Sequence, residues 1–443
     1  AAQLDDDKRW VQRKHLLFDT GQRLSRGDPF LPQIDDLHVQ SLREHRDKIL
    51  LRLQKNAFGQ AVPENHHRPT SSRVGVLHRV AASDQQQNQQ KGPYPASENG
   101  QAMRWIALTG VNGFIGHNLV REFLEQRPQT LNLNIEKVLG LDLPGSLTRE
   151  THSRAVAFDH YRFEPADDML ANLARVESEW GSPPLAVLHN GACSSTTETD
   201  PEVFRTLNVE SSQQLFDYCT QKEIPLLYAS SASVYGDGSQ GFSDKIERNA
   251  DFQPLNLYGR SKHQFDSWIL QQESRPPTWF GLRYFNVFGP FEEHKKGQAS
   301  VLHWGRRQIQ ETGSLKLYRS HRADIADGEQ KRDFVSVFDV VRVTLQLLHL
   351  ALTNPDLKEN GLFINVGRGE AATWLETADA LFTAMGRATQ VEFLDMPPPL
   401  RAHYQNFTQA DLSTLHSLGL TDRFLTLEEG FSRSLPEMAS LPE

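Results

Sequence analysis

The amino-acid sequence predicts the α/β class, with a doubly wound parallel sheet and a smaller C-terminal α/β domain. Three observations carry this. Short apolar runs recur after Met103, amphipathic stretches lie between them, and the first run opens into a glycine-rich turn. Strands alternating with helices build a parallel sheet covered on both faces. The 443 residues suffice for two domains.

The elements follow in order. Residues 1–102 hold one amphipathic stretch, 35–57, with Leu37, Leu42, Ile49, Leu50 and Leu53 near helical spacing. A Gln/Gly/Pro/Ser-rich linker, 83–102, is too polar to order itself. The expectation is an N-terminal extension, largely disordered or helical. From Met103 the runs RWIALTG, KVLGLD, LAVLHN, IPLLYASS, WFGLRYFN and GLFINVG read as buried strands, bounded by turn-forming residues. FIGHNLVREFLEQ, VFRTLNVESSQQLFDYC and NLYGRSKHQFDSWILQQ read as the helices between them.

Composition narrows the function classes. A net charge of −9 argues against a nucleic-acid footprint, which is basic. Two cysteines, Cys193 and Cys219, make neither a disulfide framework nor a zinc pattern, so no metal is expected. The apolar runs fall far short of a membrane span, and AAQLDDDKRW lacks a signal peptide's basic start and apolar middle. A cytoplasmic protein without membrane or nucleic-acid partners is expected.

The turn TGVNGFIG places Gly110, Gly113 and Gly116 between a strand and a helix. Gly110 permits a tight turn, Gly113 lets backbone N–H groups approach a pyrophosphate, and Gly116 allows close helix–strand packing. Asp142 closes the next strand, where a carboxylate can bind adenosine ribose hydroxyls. The pattern is that of a Rossmann dinucleotide-binding domain, and Asp142 by itself favours NAD. Further on, Tyr258 and Lys262 are four apart on one helix face, downstream of a Ser-rich strand end that includes Ser231. A phenol near pKa 10 is a poor base at neutral pH. A neighbouring ammonium would lower it, and a serine hydroxyl would hold the substrate oxygen. Such a set moves a hydride between a carbinol and a nicotinamide.

Together these residues resemble the extended short-chain dehydrogenase/reductase superfamily. Within it, residues 103–443 are similar to the ADP-glyceromanno-heptose 6-epimerases, of the NAD-dependent epimerase/dehydratase family. HNGACSSTTETD, YASSASVYG, LNLYGRSK, RYFNVFGP, HKKGQAS, KRDFVSVFDV and YQNFTQADL carry the resemblance, GACSSTTE and FTQADL most narrowly. It implies cofactor contacts from Phe114, Ile115, Leu143, Arg149, Asn190, Gly191, Ala192, Cys193, Ser194 and Val287, besides Tyr258, Lys262 and Lys295. It implies substrate contacts from Ser194, Asn286, Gly297, His303, Tyr318, Arg319, Ser320, His321, Arg332 and Tyr404. Tyr258 would be the first acid/base, Ser231 its hydroxyl partner, Lys262 its electrostatic partner and Lys295 the second acid/base. The chain departs from the family at Asn190, where Glu is usual, at Leu143, where Asn is usual, and by extra residues before Arg332.

Lys295 lies in FEEHKKGQAS, which alone also reads as a solvated charge run, and Lys296 is its neighbour. The chemistry asks for a second base unless the ketone intermediate turns over, because C6 epimerisation takes a proton from, or returns it to, hydroxyls on opposite faces of one carbon. Arg149 stands where the family carries a lysine for a 2′-phosphate, so the resemblance implies NADP, with NAD possible through Asp142. It further implies an ADP-heptose substrate, supply of lipopolysaccharide inner-core heptose, and a homo-oligomer such as a pentamer. The expected domains are 103–285 completed by 337–369 for the dinucleotide, and 286–336 with 370–443 for the substrate. A 4,6-dehydratase is disfavoured because Ala232 and Ser233 replace the acids that elimination needs. A nucleotide-sugar 4-epimerase is the alternative, and a non-catalytic dinucleotide-binding module is the remote one.

Overall fold

The computed structural model describes residues 103–126, 133–146, 160–357, 360–401 and 404–439. The N-terminal stretch 35–57, the linker 83–102 and Arg149 lie outside the described residues. The elements are β1 (Trp105–Thr109), α1 (Phe114–Arg121), β2 (Lys137–Asp142), β3 (Tyr161–Pro165), α2 (Met169–Trp180), β4 (Val187–His189), α3 (Ser211–Lys222), β5 (Leu226–Ser231), α4 (Leu257–Leu270) and β6 (Thr278–Tyr284). There follow β7 (Asn286–Phe288), α5 (Val301–Thr312), β8 (Leu315–Tyr318), β9 (Lys331–Ser336), α6 (Val337–Thr353), β10 (Asn360–Val366), β11 (Ala371–Thr373), α7 (Trp374–Ala384), β12 (Val391–Leu394) and α8 (Leu427–Ala439).

Seven strands form one sheet in the order β10-β6-β5-β4-β1-β2-β3, every pair parallel. The chain order reverses between β1 and β4, the switch point where doubly wound sheets bind ligands. Strand alternation sends side chains to two cores. Ile106, Leu108, Val138, Leu188 and Ile364 face one side, packed with Leu119 of α1 and Val340 and Leu347 of α6. Trp105, Ala107, Leu139, Val187 and Trp279 face the other, packed with Leu173 of α2, Leu215 of α3 and Phe265 of α4. The two-sided burial explains why the central strands read as continuous apolar runs.

The seventh strand, β3, is not among the runs named from sequence. It lies at the sheet edge and every residue in it is only half-buried, so YRFEP carries no apolar signature. Beyond β6, two small sheets form, β11-β9-β7 and β12-β8. Phe288, Leu302, Leu317, Phe334, Leu381, Phe382 and Phe431 make a third core there. No helix among the described residues is long and apolar enough to cross a membrane. Among them, too, no three His, Cys, Asp or Glu side chains group so as to hold a metal ion.

Candidate active site

The loop after β1 is built for close approach. Gly110 has φ +70°, and a Cβ there would lie 2.6 Å from Gly191 N. A Cβ on Gly116 would fall 2.0 Å from Gly110 O, so both positions exclude a side chain. Helix α1 starts at Gly113 with no side-chain cap and no acid in its first turn. Its uncapped N–H groups and positive end face the switch point, and they fit a dinucleotide pyrophosphate. Asp142 accepts hydrogen bonds from the N–H of Asn112 (2.7 Å) and of Leu143 (2.7 Å), and Asn112 Nδ2 donates to Ser146 Oγ (2.9 Å). The carboxylate thus holds the phosphate loop, and burial pushes its pKa up. Phe114 is buried and Ile115 half-buried at the start of α1.

The loop after β4 runs beside this turn. Gly191 N–H donates to Thr109 Oγ1 (3.0 Å), and Asn190 Oδ1 is buried with no hydrogen-bond partner among the described residues. Thr109 Oγ1 also meets His189 Nδ1 (2.7 Å), and His189 Nε2 meets Ser212 Oγ (2.9 Å). Burial, aided by the Lys262 charge, lowers the His189 pKa to about 3, so the ring is neutral. Ala192 and Cys193 are half-buried, and Ser194 is exposed.

Asn208, which the sequence alone does not single out, ties this loop to α4. Its side chain is fully buried. Oδ1 accepts from Cys193 N–H (2.7 Å), while Nδ2 donates to Cys193 O (2.9 Å) and to Ser261 Oγ (2.9 Å). Ser261 Oγ in turn donates to Tyr258 O (2.7 Å). A polar residue within an amphipathic stretch reads as surface, and only a buried-face position at helical spacing hints otherwise. The turn around it, Arg205–Glu210, is widened to i→i+5 hydrogen bonding, a local feature often found at functional sites.

Asn256 caps α4 by accepting from Gly259 N–H (2.8 Å), which sets the helix carrying Tyr258 and Lys262. The Tyr258 hydroxyl is hydrogen-bonded to the buried Ser231. The sequence-based expectation of a lowered Tyr258 pKa is not met. Burial raises it, the Ser231 bond opposes that, and the Cys193 charge adds to it. Lys262 is itself buried, which lowers its pKa to about 8 against the pull of Asp266 and Cys193. Desolvation disfavours the charged phenolate, and here it outweighs what favours it.

The lysine loop docks onto the same region. Gln298 Nε2 donates to Ser195 Oγ (3.0 Å) and Thr197 Oγ1 (3.2 Å), and Thr196 N–H donates to Gln298 Oε1 (3.1 Å). Lys295 Nζ pairs with Glu292 (2.8 Å) and lies 4.6 Å from the Phe114 ring centroid. Gly297 lies in the same short helical turn, Glu293–Gln298. Asn286 and Val287 lead into the loop from β7, and His303 follows on α5 with Nδ1 buried and unpartnered among the described residues.

A second group gathers around β9. Arg332 is buried, its guanidinium 4.7 Å from the Tyr404 ring centroid, with no carboxylate paired to it among the described residues. Burial pulls its pKa down, the mark of a cation that an anion would stabilise. Trp374 Nε1 donates to Tyr404 OH (2.9 Å), and the His321 ring stands edge-on 6.0 Å away. Asp333 fixes the neighbouring strand by accepting from Arg368, Gly369 and Ala410 N–H groups. Arg319 turns instead to Asp327 (2.7 Å), whose other oxygen accepts from Ser320 N–H (2.9 Å), while Tyr318 ends β8 half-buried.

Residues 106–367 match the NAD dependent epimerase/dehydratase family. An ADP-L-glycero-D-manno-heptose-6-epimerase of Alkalilimnicola ehrlichii is 38% identical over 339 residues, 76% of this chain and 98% of that relative. Another from Nitratidesulfovibrio vulgaris is 38% identical over 323 residues, covering 73% and 94%. Among solved structures, the Helicobacter pylori ADP-L-glycero-D-manno-heptose-6-epimerase superposes with a TM-score of 0.59 at 26% identity, covering 77% of this chain and 97% of that one. The parallel Rossmann sheet agrees with these likenesses, and the chain belongs to the NAD dependent epimerase/dehydratase family.

Proposed function

We propose that the protein interconverts ADP-D-glycero-D-manno-heptose and ADP-L-glycero-D-manno-heptose by transient oxidation at C6. Likeness to heptose 6-epimerases along nearly their whole length carries this reading. NADP, when bound, supplies the acceptor and donor of the C6 hydride. Gly110, Gly113 and the α1 N-terminus would hold its pyrophosphate, Asp142 and Arg149 its adenosine ribose, and Tyr258 and Lys262 its nicotinamide end. Tyr258, aligned by Ser231, takes the proton of the 6-hydroxyl in one epimer as C6 becomes a carbonyl. Lys262 offsets the phenolate charge from one turn along the same face. The carbonyl then turns so that its other face would receive the hydride, and Lys295, on the opposite side from Tyr258, returns the proton to its oxygen, which gives the inverted carbinol. Arg332, stacked on Tyr404, binds the diphosphate of the sugar nucleotide. The part of the chain from 286–336 and 370–443 forms the substrate side of the crevice. The protein acts in the cytoplasm as a homo-oligomer, a pentamer, and supplies heptose for the lipopolysaccharide inner core.

Incubation with ADP-D-glycero-D-manno-heptose, followed by NMR at C6, tests the reading. The expected result is a mixture of both epimers without net reduction of nicotinamide. An unchanged heptose, together with inversion at C4 of a nucleotide hexose, would replace it with a 4-epimerase.

A further inference from the structure

Glu292 takes no part in the reaction as assigned above, yet its side chain is fully buried. A carboxylate leaves water only when its oxygens are matched by donors. Oε1 accepts from Gly289 N–H (3.2 Å) and from the Ser300 hydroxyl (2.5 Å). Oε2 accepts from Ser300 N–H (2.9 Å) and from Lys295 Nζ (2.8 Å). Gly289 opens the lysine loop and Ser300 closes it at the start of α5, so one side chain gathers both ends. The same carboxylate draws the Lys295 ammonium inward, over the Phe114 ring at the phosphate loop. The loop's backbone and hydroxyl donors would accept any oxygen, whereas the negative charge answers only to the lysine.

We infer that Glu292 is a positioning residue that orients Lys295 for proton transfer at C6 and acts on the reaction only through that lysine. This rests on the two-base reading above. A long, rotamer-rich lysine with 23% of its side chain exposed would otherwise lose entropy each time it entered the site. Holding a catalytic group within reach is worth a large factor, and a displacement of about 1 Å can cost roughly 10²-fold in rate.

The test compares Lys295→Met, Glu292→Gln and the double variant. Each is offered the two C6 epimers separately, and nicotinamide reduction is followed over one turnover by absorbance. Lys295→Met is expected to lose oxidation of one epimer by roughly 10² to 10⁴ and to keep the other. Glu292→Gln should lose the same epimer roughly 10²-fold, keep the other, and add nothing in the double variant. A second readout needs neither substrate nor cofactor. Acylation of Lys295 by an amine-selective reagent, mapped by mass spectrometry, should quicken in Glu292→Gln while Lys222 reacts as before. Should Glu292→Gln not accumulate, the double variant, which removes both charges, is compared directly with Lys295→Met. Equal slowing of both epimers, a multiplied loss in the double variant, or unchanged Lys295 acylation would overturn the inference and leave Glu292 a loop fastener. If Lys295→Met oxidises both epimers normally, the two-base reading itself fails, and the inference falls with it.

Discussion

Replacing Asn208 by Asp changes almost no volume and removes two hydrogen-bond donors from a fully buried side chain. Oδ1 can still accept from Cys193 N–H, but the second oxygen now faces Cys193 O and Ser261 Oγ. Ser261 can rotate its hydroxyl to donate, whereas the Cys193 carbonyl is left bare. One buried acceptor without a donor costs about 1–3 kcal/mol, and a buried unpaired carboxylate costs more. Against a total stability of about 5–15 kcal/mol, the loss is plain in a urea titration. Protonation of the new acid restores a donor, so the deficit depends on pH. The folded state favours the neutral acid and so holds a proton that the unfolded chain has released. Stability relative to the parent therefore falls as pH rises above about 4, by up to about 1.4 kcal/mol per unit, until the folded pKa is passed. Urea unfolding of both proteins at pH 5 and pH 8 measures this. An equal midpoint at pH 8, or the same deficit at both values, would refute the role given to the Asn208 amide.

Two further outcomes are expected. His189 is neutral in the fold at a pKa of about 3, below its ordinary value, so the unfolded chain takes up a proton first as pH falls below about 6.5. Stability from this group is present above that value and is lost towards pH 3 at up to about 1.4 kcal/mol per unit. His189→Gln should flatten that share of the acid limb in urea titrations, and parallel limbs would count against it. Arg149→Ala should weaken NADP more than NAD by about tenfold or more, the worth of one charge-assisted contact. Equal affinities by calorimetry would leave Asp142 as the determinant and favour NAD.

Much of the fold was legible because its signals are local. Central parallel strands are buried on both faces, so Trp105–Thr109 and Thr278–Tyr284 read directly as apolar runs. The phosphate turn was legible because only glycine tolerates the φ of Gly110 and the packing at Gly116. Tyr258 and Lys262 were legible because helical spacing alone puts them on one face. The edge strand Tyr161–Pro165 was not, since half-burial leaves no pattern.

The tertiary structure decided the rest, and always where partners are distant in sequence. Asn208 reads as a surface residue until the crossovers bring Cys193 and Ser261 against it. Glu292 and Lys295 read as one charge run until Gly289 and Ser300 enclose the carboxylate. Desolvation reversed the expected shift of the Tyr258 phenol, because it depends on everything packed around a group. Periodicity and backbone preference are properties of a few neighbouring residues and survive in the sequence. Matching a buried polar group depends on which strand lies beside which, and only the folded chain contains that.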